Sequence, residues 1–200
     1  MKIKRKVVKA ILGGLVRFFY RVKIEGEENL PKNGTYMMCG NHVHALDAPV
    51  LVLTCKRHIN FIAKEELFKS AFLRFLGRTF DVISVKRDSA DMEAMKKSMK
   101  VLKDENAILG LFPEGTRNGM EKHTEIKTGA AFMALKTNTP VIPVAFVGSF
   151  KLFRKVIVRY GKPLDFSEYV PEKGKPDKDT LELVSKKIMD SVVELRDEKV

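Results

Sequence analysis

The chain has 200 residues, of which 44% are apolar and 31% charged, and its formal net charge is +12. That length fits one compact domain with a terminal appendage, and the composition excludes a disordered or low-complexity chain. Two cysteines, Cys39 and Cys55, exclude a disulfide-rich secreted scaffold, and no apolar run approaches the roughly 18 residues of a membrane span. No apolar h-region with a small-residue cleavage site opens the chain, so the expectation is a cytoplasmic protein.

The charge is concentrated at the start: eight lysines and arginines, and no acid, fall within residues 1–24. Placed on a helix, Val8, Ile11, Leu12, Leu15, Phe18, Phe19 and Val22 share an arc of about 120°. Lys2, Arg5, Lys6, Lys9, Arg17 and Arg21 take the opposite side, with Lys4 as the exception. Gly13 and Gly14 each weaken such a helix by about 1 kcal/mol and let it bend. Two readings stand. The helix packs its apolar face on the protein's own core, or it lies in a bilayer interface with its cations on an anionic membrane surface. The second divides the chain into a membrane-associating helix, 1–22, and a globular domain, 23–200.

Beyond residue 20, short apolar runs alternate with longer amphipathic ones. Strands are predicted at 22–25, 35–39, 59–63, 81–85, 107–112, 141–146 and 156–160, rich in β-branched or aromatic residues and bounded by Gly, Pro or charge. Helices are predicted at 47–56, 70–76, 89–106, 127–137 and 180–198. Met92, Met95, Met99 and Leu102 mark a core-facing stripe on the third of these. The alternation predicts an α/β fold, a mainly parallel sheet flanked by helices, with ligand sites at the carboxyl ends of strands.

Three segments carry chemistry. Asn41-His42-Val43-His44-Ala45-Leu46-Asp47 follows a predicted strand. A carboxylate five residues after an imidazole can orient it and leave one ring nitrogen free as a base. The plainer reading makes Asp47 a helix N-cap and His42 a hydrogen-bonded loop residue. His42 and His44 also form a His-x-His pair, but no cysteine or acidic cluster completes a metal set, so no metal is expected. Phe112-Pro113-Glu114-Gly115-Thr116-Arg117 ends another predicted strand. Gly115 permits a tight turn, and Thr116 and Arg117 offer a hydroxyl and a planar donor fork suited to phosphate. The third, Val141-Ile142-Pro143-Val144, is an apolar strand with an internal proline, which predicts an edge or a bulge.

In this order the segments resemble the glycerolipid acyltransferase family. Its N-H-x-x-x-x-D motif is matched by Asn41, His42 and Asp47, F-P-E-G-T-R by 112–117 without a change, and I-P-V by Ile142, Pro143 and Val144. A further motif, an apolar strand ending in an arginine, is matched more loosely at 82–87, with Asp81 where a glycine is common. Lys64 ahead of it and Lys127-Thr128-Gly129 after the F-P-E-G-T-R turn also fit the pattern. His44 stands where serine is frequent, and Ala48 separates Asp47 from Pro49 where many members have Asp-Pro. Both departures bear on substrate preference and leave the dyad intact.

The resemblance implies acyl transfer from a thioester, acyl carrier protein or acyl-coenzyme A, to a glycerol hydroxyl of a membrane lipid, with no bound cofactor. The expected acceptor is the sn-2 hydroxyl of 1-acylglycerol-3-phosphate, at the cytoplasmic face of the membrane. His42 and Asp47 would be catalytic. Arg87, Glu114, Gly115, Thr116, Arg117 and Lys64 would bind substrate, Glu114 by orienting an arginine. Glycerol-3-phosphate or another lysophospholipid is the alternative acceptor. The alternative of another class is a non-catalytic basic membrane-binding module; no zinc-finger or RNA-binding signature supports a nucleic acid partner.

Overall fold

A computed structural model describes residues 2–86, 91–119, 126–148 and 150–198. In chain order the elements are α1 (Lys2–Phe19), β1 (Val22–Glu25), β2 (Tyr36–Gly40), α2 (Asp47–Thr54), β3 (Asn60–Lys64), α3 (Ala71–Thr79) and β4 (Ile83–Val85). They continue with α4 (Met92–Leu102), β5 (Ile108–Leu111), α5 (Gly129–Thr137), β6 (Val141–Gly148), β7 (Val156–Tyr160) and α6 (Lys178–Asp197). Every predicted strand and helix has a counterpart. The predicted helix 89–106 is trimmed to Met92–Leu102, because Asp91 caps it by accepting from Glu93 and Ala94 N–H. Its first two predicted residues, Ser89 and Ala90, lie outside the described residues.

The strands form one seven-stranded sheet in the order β1-β7-β6-β2-β5-β3-β4. Five of them, β6, β2, β5, β3 and β4, run parallel, and β7 turns back antiparallel to β6 and carries β1 parallel to itself. The period of two along β2 divides the core. Tyr36 and Met38 face the layer of α1, α2 and α3, and Met37 and Cys39 face the layer of α4, α5 and α6. Two covered faces explain why β2, β5 and β6 read as near-continuous apolar runs.

Pro143 lies inside the sheet, between β2 and β7, rather than on an edge or a bulge. It is tolerated because the β6–β7 ladder begins one residue later, at Val144 against Tyr160. The missing N–H falls just outside the ladder, and the Pro143 carbonyl still accepts from Gly161 N–H at 2.9 Å.

α1 packs part of its apolar arc on the core and leaves part of it exposed. Val8, Leu12 and Val16 pack against the core, and Gly13 comes so close to α2 that a Cβ there would lie 3.3 Å from the Leu53 carbonyl oxygen. Ile3, Val7, Ile11, Leu15 and Phe18 remain exposed as a second apolar stripe. The predicted arc is therefore split between protein and solvent. The basic side is split too. Arg5 Nη1 pairs with Asp81 Oδ2 at 2.7 Å and also reaches the His58 ring. Lys9 donates to the carbonyls of Cys55 and Arg57 just past the end of α2, and burial lowers its pKa from the usual lysine value. Inward lysine and arginine are possible because acceptors meet them there. No helix among the described residues is long and apolar enough to cross a membrane.

Candidate active site

β2 and β5 lie side by side at the middle of the sheet, with Cys39 opposite Leu111, so their carboxyl ends deliver two loops to one place. The first loop, after Gly40, is anchored by Asn41. Its fully buried side chain accepts from Phe146 N–H at 2.7 Å and donates to the Phe146 carbonyl at 3.1 Å, fixing β2's end to β6. The chain then turns into α2, whose first residue is Asp47. The Asp47 carboxylate is fully buried at that helix N-terminus, where the helix dipole favours negative charge. Its Oδ2 accepts three hydrogen bonds: His42 Nδ1 at 2.8 Å, Val43 N–H at 2.7 Å and His44 N–H at 2.7 Å.

A carboxylate only accepts, so Nδ1 of His42 carries its proton and Nε2 keeps a lone pair. The ring is 20% exposed, which leaves it reachable from outside. It stacks flat on Phe112, with centroids 4.2 Å apart and planes 3° from parallel. Phe112 is the first residue of the second loop, so the stack joins both loops. Two main-chain contacts reinforce the join. His42 N–H donates to Glu114 Oε1 at 2.9 Å, and Asn118 N–H donates to the His42 carbonyl at 2.6 Å. Asp47 is therefore not the N-cap of the plainer sequence reading: Leu46 takes that position with no side-chain cap, and the Asp47 carboxylate instead braces the preceding loop and orients His42.

The second loop turns tightly, Gly115 N–H donating to the Phe112 carbonyl at 3.0 Å. Gly115 has φ +63°, the left-handed region that favours glycine, and the Lys127 stem covers it so closely that a Cβ would lie 2.8 Å from Lys127 Cε. Glu114 is buried; Thr116 is half-buried and Arg117 exposed. Glu114 therefore serves the His42 main chain, a role its place in the motif did not reveal. Lys64, half-buried, ends β3, the strand next to β5, and lines a groove of about 950 Å³ with Lys69, Arg74, Arg78 and Lys86. Arg87 lies outside the described residues. The sequence signals that could have disclosed more are Phe112, the aromatic that opens the motif and stacks on His42, and Lys127, whose stem covers Gly115.

Cys39, three residues before His42, is fully buried, and burial pushes its thiol up to about 12. A neutral buried thiol is a poor nucleophile. Iodoacetamide at pH 8 is expected to leave native Cys39 unmodified, as peptide mass mapping would read.

Residues 21–147 match the family model described as "Acyltransferase". The chain is 33% identical to the 1-acyl-sn-glycerol-3-phosphate acyltransferase of Borreliella burgdorferi over 140 residues, 69% of this chain and 56% of that one. It is 27% identical to the protein of the same name from Bacillus subtilis over 196 residues, 95% of this chain and 92% of that one. In three dimensions all of it is covered by the crystal structure of the 1-acyl-sn-glycerophosphate (LPA) acyltransferase PlsC from Thermotoga maritima, with 84% of that chain matched, a TM-score of 0.71 and 26% identity. The chain spans only 56% of the Borreliella relative's length and 62% of that from Limnanthes alba. The matched segment takes in His42, Asp47 and the whole 112–117 turn, and the chain belongs to the acyltransferase family.

Proposed function

We propose that this protein transfers a fatty acyl group from an acyl thioester to the sn-2 hydroxyl of 1-acylglycerol-3-phosphate, giving phosphatidate. The observation that carries the reading is the 2.8 Å pair of His42 and buried Asp47, set beside a glycine turn that ends in Thr116 and Arg117. The relatives' names support the same acceptor. His42 Nε2 takes the hydroxyl proton as the oxygen attacks the thioester carbonyl. The tetrahedral adduct collapses, the carbon–sulfur bond breaks, and the imidazolium returns its proton to the departing thiolate. Asp47 holds the ring and stabilises its charged form. Arg117, Thr116 and Lys64 take the acceptor phosphate, and Arg87 joins them. Fixing that phosphate places the hydroxyl beside Nε2. The thioester is carried by acyl carrier protein or coenzyme A, both anionic and both matched by a basic protein.

Arg117→Ala is expected to lower kcat/KM for a phosphate-bearing acceptor by about 10- to 150-fold, the loss of one charge-assisted contact. The KM for the donor should hardly move. Equal losses with 1-acylglycerol and 1-acylglycerol-3-phosphate would make Arg117 structural.

The protein works at the cytoplasmic face of the membrane, held by the outward stripe of α1. Lys4 and Lys6 are exposed beside that stripe, whereas Arg5 and Lys9 turn inward. Lys4→Gln with Lys6→Gln should weaken binding to anionic vesicles by about 1 kcal/mol per residue, an effect that shrinks as salt rises. Arg5→Gln should instead lower thermal stability.

The reading is tested by assaying purified protein with lysophosphatidate, glycerol-3-phosphate and 1-acylglycerol, each with acyl carrier protein and coenzyme A thioesters. Phosphatidate from lysophosphatidate should dominate. No transfer with either donor would sink the proposal and favour a non-catalytic membrane-binding module.

A further inference from the structure

Helix α3 has a feature that acyl transfer does not account for. None of its residues is fully buried, although three of its nine are Phe72, Leu73 and Phe75. Phe72 is 60% exposed and Phe75 48% exposed. Globular helices ordinarily turn such side chains to a core. Here only Leu76 packs on the core. Arg74 and Arg78 are exposed to solvent and line the Lys64 groove, where five cations outnumber Glu65, Glu66 and Asp81.

We propose that α3 is a second bilayer-contacting element, its phenylalanines entering the interface of an anionic leaflet and its arginines meeting the headgroups. The proposal rests on the membrane-lipid acceptor of the preceding reading, and the structure supplies three further arguments. First, α1 and α3 cover the same face of the sheet, because Val8, Leu12 and Leu76 pack against one core. Second, the start of α1 is tied to the chain just past α3: Arg5 of α1 is paired with Asp81, two residues beyond the end of α3. The end of α3 is therefore close in space to the beginning of α1. Third, the chemistry of α3 is that of an interfacial helix, aromatic residues with arginines along one flank.

A second contact does what one helix cannot. α1 spans about 27 Å at the usual helical rise, and a single helix touches a surface along a line. The domain could roll about that line and carry the His42 cleft away from the lipid. A contact off the line fixes a plane. α3 lies on the side of β3 and β4, where Lys64 ends its strand and opens the groove. Docking there would set the carboxyl edge of the sheet at a constant tilt to the leaflet.

The test uses the full chain and vesicles of phosphatidylcholine with or without phosphatidylglycerol. Phe72→Ser with Phe75→Ser should reduce partition to the mixed vesicles about tenfold or more, with an unchanged melting temperature. Turnover of lysophosphatidate in those vesicles should fall more than turnover of a short-chain soluble analogue. Arg74→Gln with Arg78→Gln should weaken binding only where phosphatidylglycerol is present. Ile11→Ser with Leu15→Ser is the parallel arm for α1. If the α1 pair detaches the protein while the α3 pair partitions as wild type does, the α3 contact is wrong and membrane binding through α1 stands. If wild type partitions to neither vesicle, both fall. Partition is read without turnover, so a failure of the acyl-transfer reading is a separate result. An environment-sensitive fluorophore on Phe72→Cys settles the matter should the double variant not fold, since Cys39 and Cys55 are buried. Its emission should shift to the blue on mixed vesicles; unchanged emission on vesicle-bound protein would overturn the proposal.

Discussion

His42→Ala should lower acyl transfer by about 10⁴-fold, the upper end of what one positioned base provides, because the substitution removes the base that takes the hydroxyl proton. The imidazole is the only base held at 2.8 Å by a buried carboxylate among the described residues. Glu114 does not substitute for it, since its Oε1 is engaged by the His42 main-chain N–H. That contact uses the backbone and survives the substitution. The variant loses the stack on Phe112 and a partly exposed ring, which should cost about 1 kcal/mol of stability. A thermal melt beside the rate measurement separates lost chemistry from lost fold. A folded His42→Ala protein with more than a tenth of wild-type turnover would end the base assignment.

Asp47→Asn should reduce kcat by about 10³- to 10⁴-fold and leave the KM for the acceptor nearly unchanged. The geometry explains the split. Oδ2 takes two main-chain donors, Val43 N–H and His44 N–H, as well as the ring. An amide oxygen in the same place still accepts from the backbone, so the loop persists. What it cannot supply is the negative charge that stabilises the imidazolium formed during attack. Asp47→Ala should behave differently. It leaves those N–H groups unpaired beside the buried start of α2, at roughly 1–3 kcal/mol each, and should lower the melting temperature as well. An Asn variant that kept normal kcat would reduce Asp47 to a brace for the 43–44 main chain.

The sheet was legible in the sequence because its strands are short apolar runs between polar, Gly- or Pro-bearing breaks. Such runs stay readable when both faces are covered. The motif residues were legible as a pattern, and two strand ends bring them together. What escaped depends on partners distant in the chain. Arg5 and Lys9 belong to the polar side of an isolated helix, and they turn inward only because Asp81 and the end of α2 offer acceptors. Ile11 and Leu15 share an arc with Leu12 on a helical wheel, yet they face away from the core because Gly13 sets how α1 rests on α2. Pro143 breaks the edge-strand rule since its neighbour ladder starts one residue later. The buried contacts of Asn41 with Phe146 and the Phe112 stack on His42 are invisible to local periodicity. Glu114 carries no sequence signal for gripping a main-chain N–H, because that role needs β2 and β5 to be neighbours.

The most direct test of the dyad account is a single-turnover experiment with enzyme in excess over a radiolabelled acyl thioester and lysophosphatidate present. The label should pass from donor to phosphatidate in one exponential phase, with none on the protein at any quench time, and His42→Ala should slow that phase by about 10⁴-fold. Label trapped on the protein before phosphatidate appears, or an unchanged rate in His42→Ala, would contradict direct base-assisted transfer.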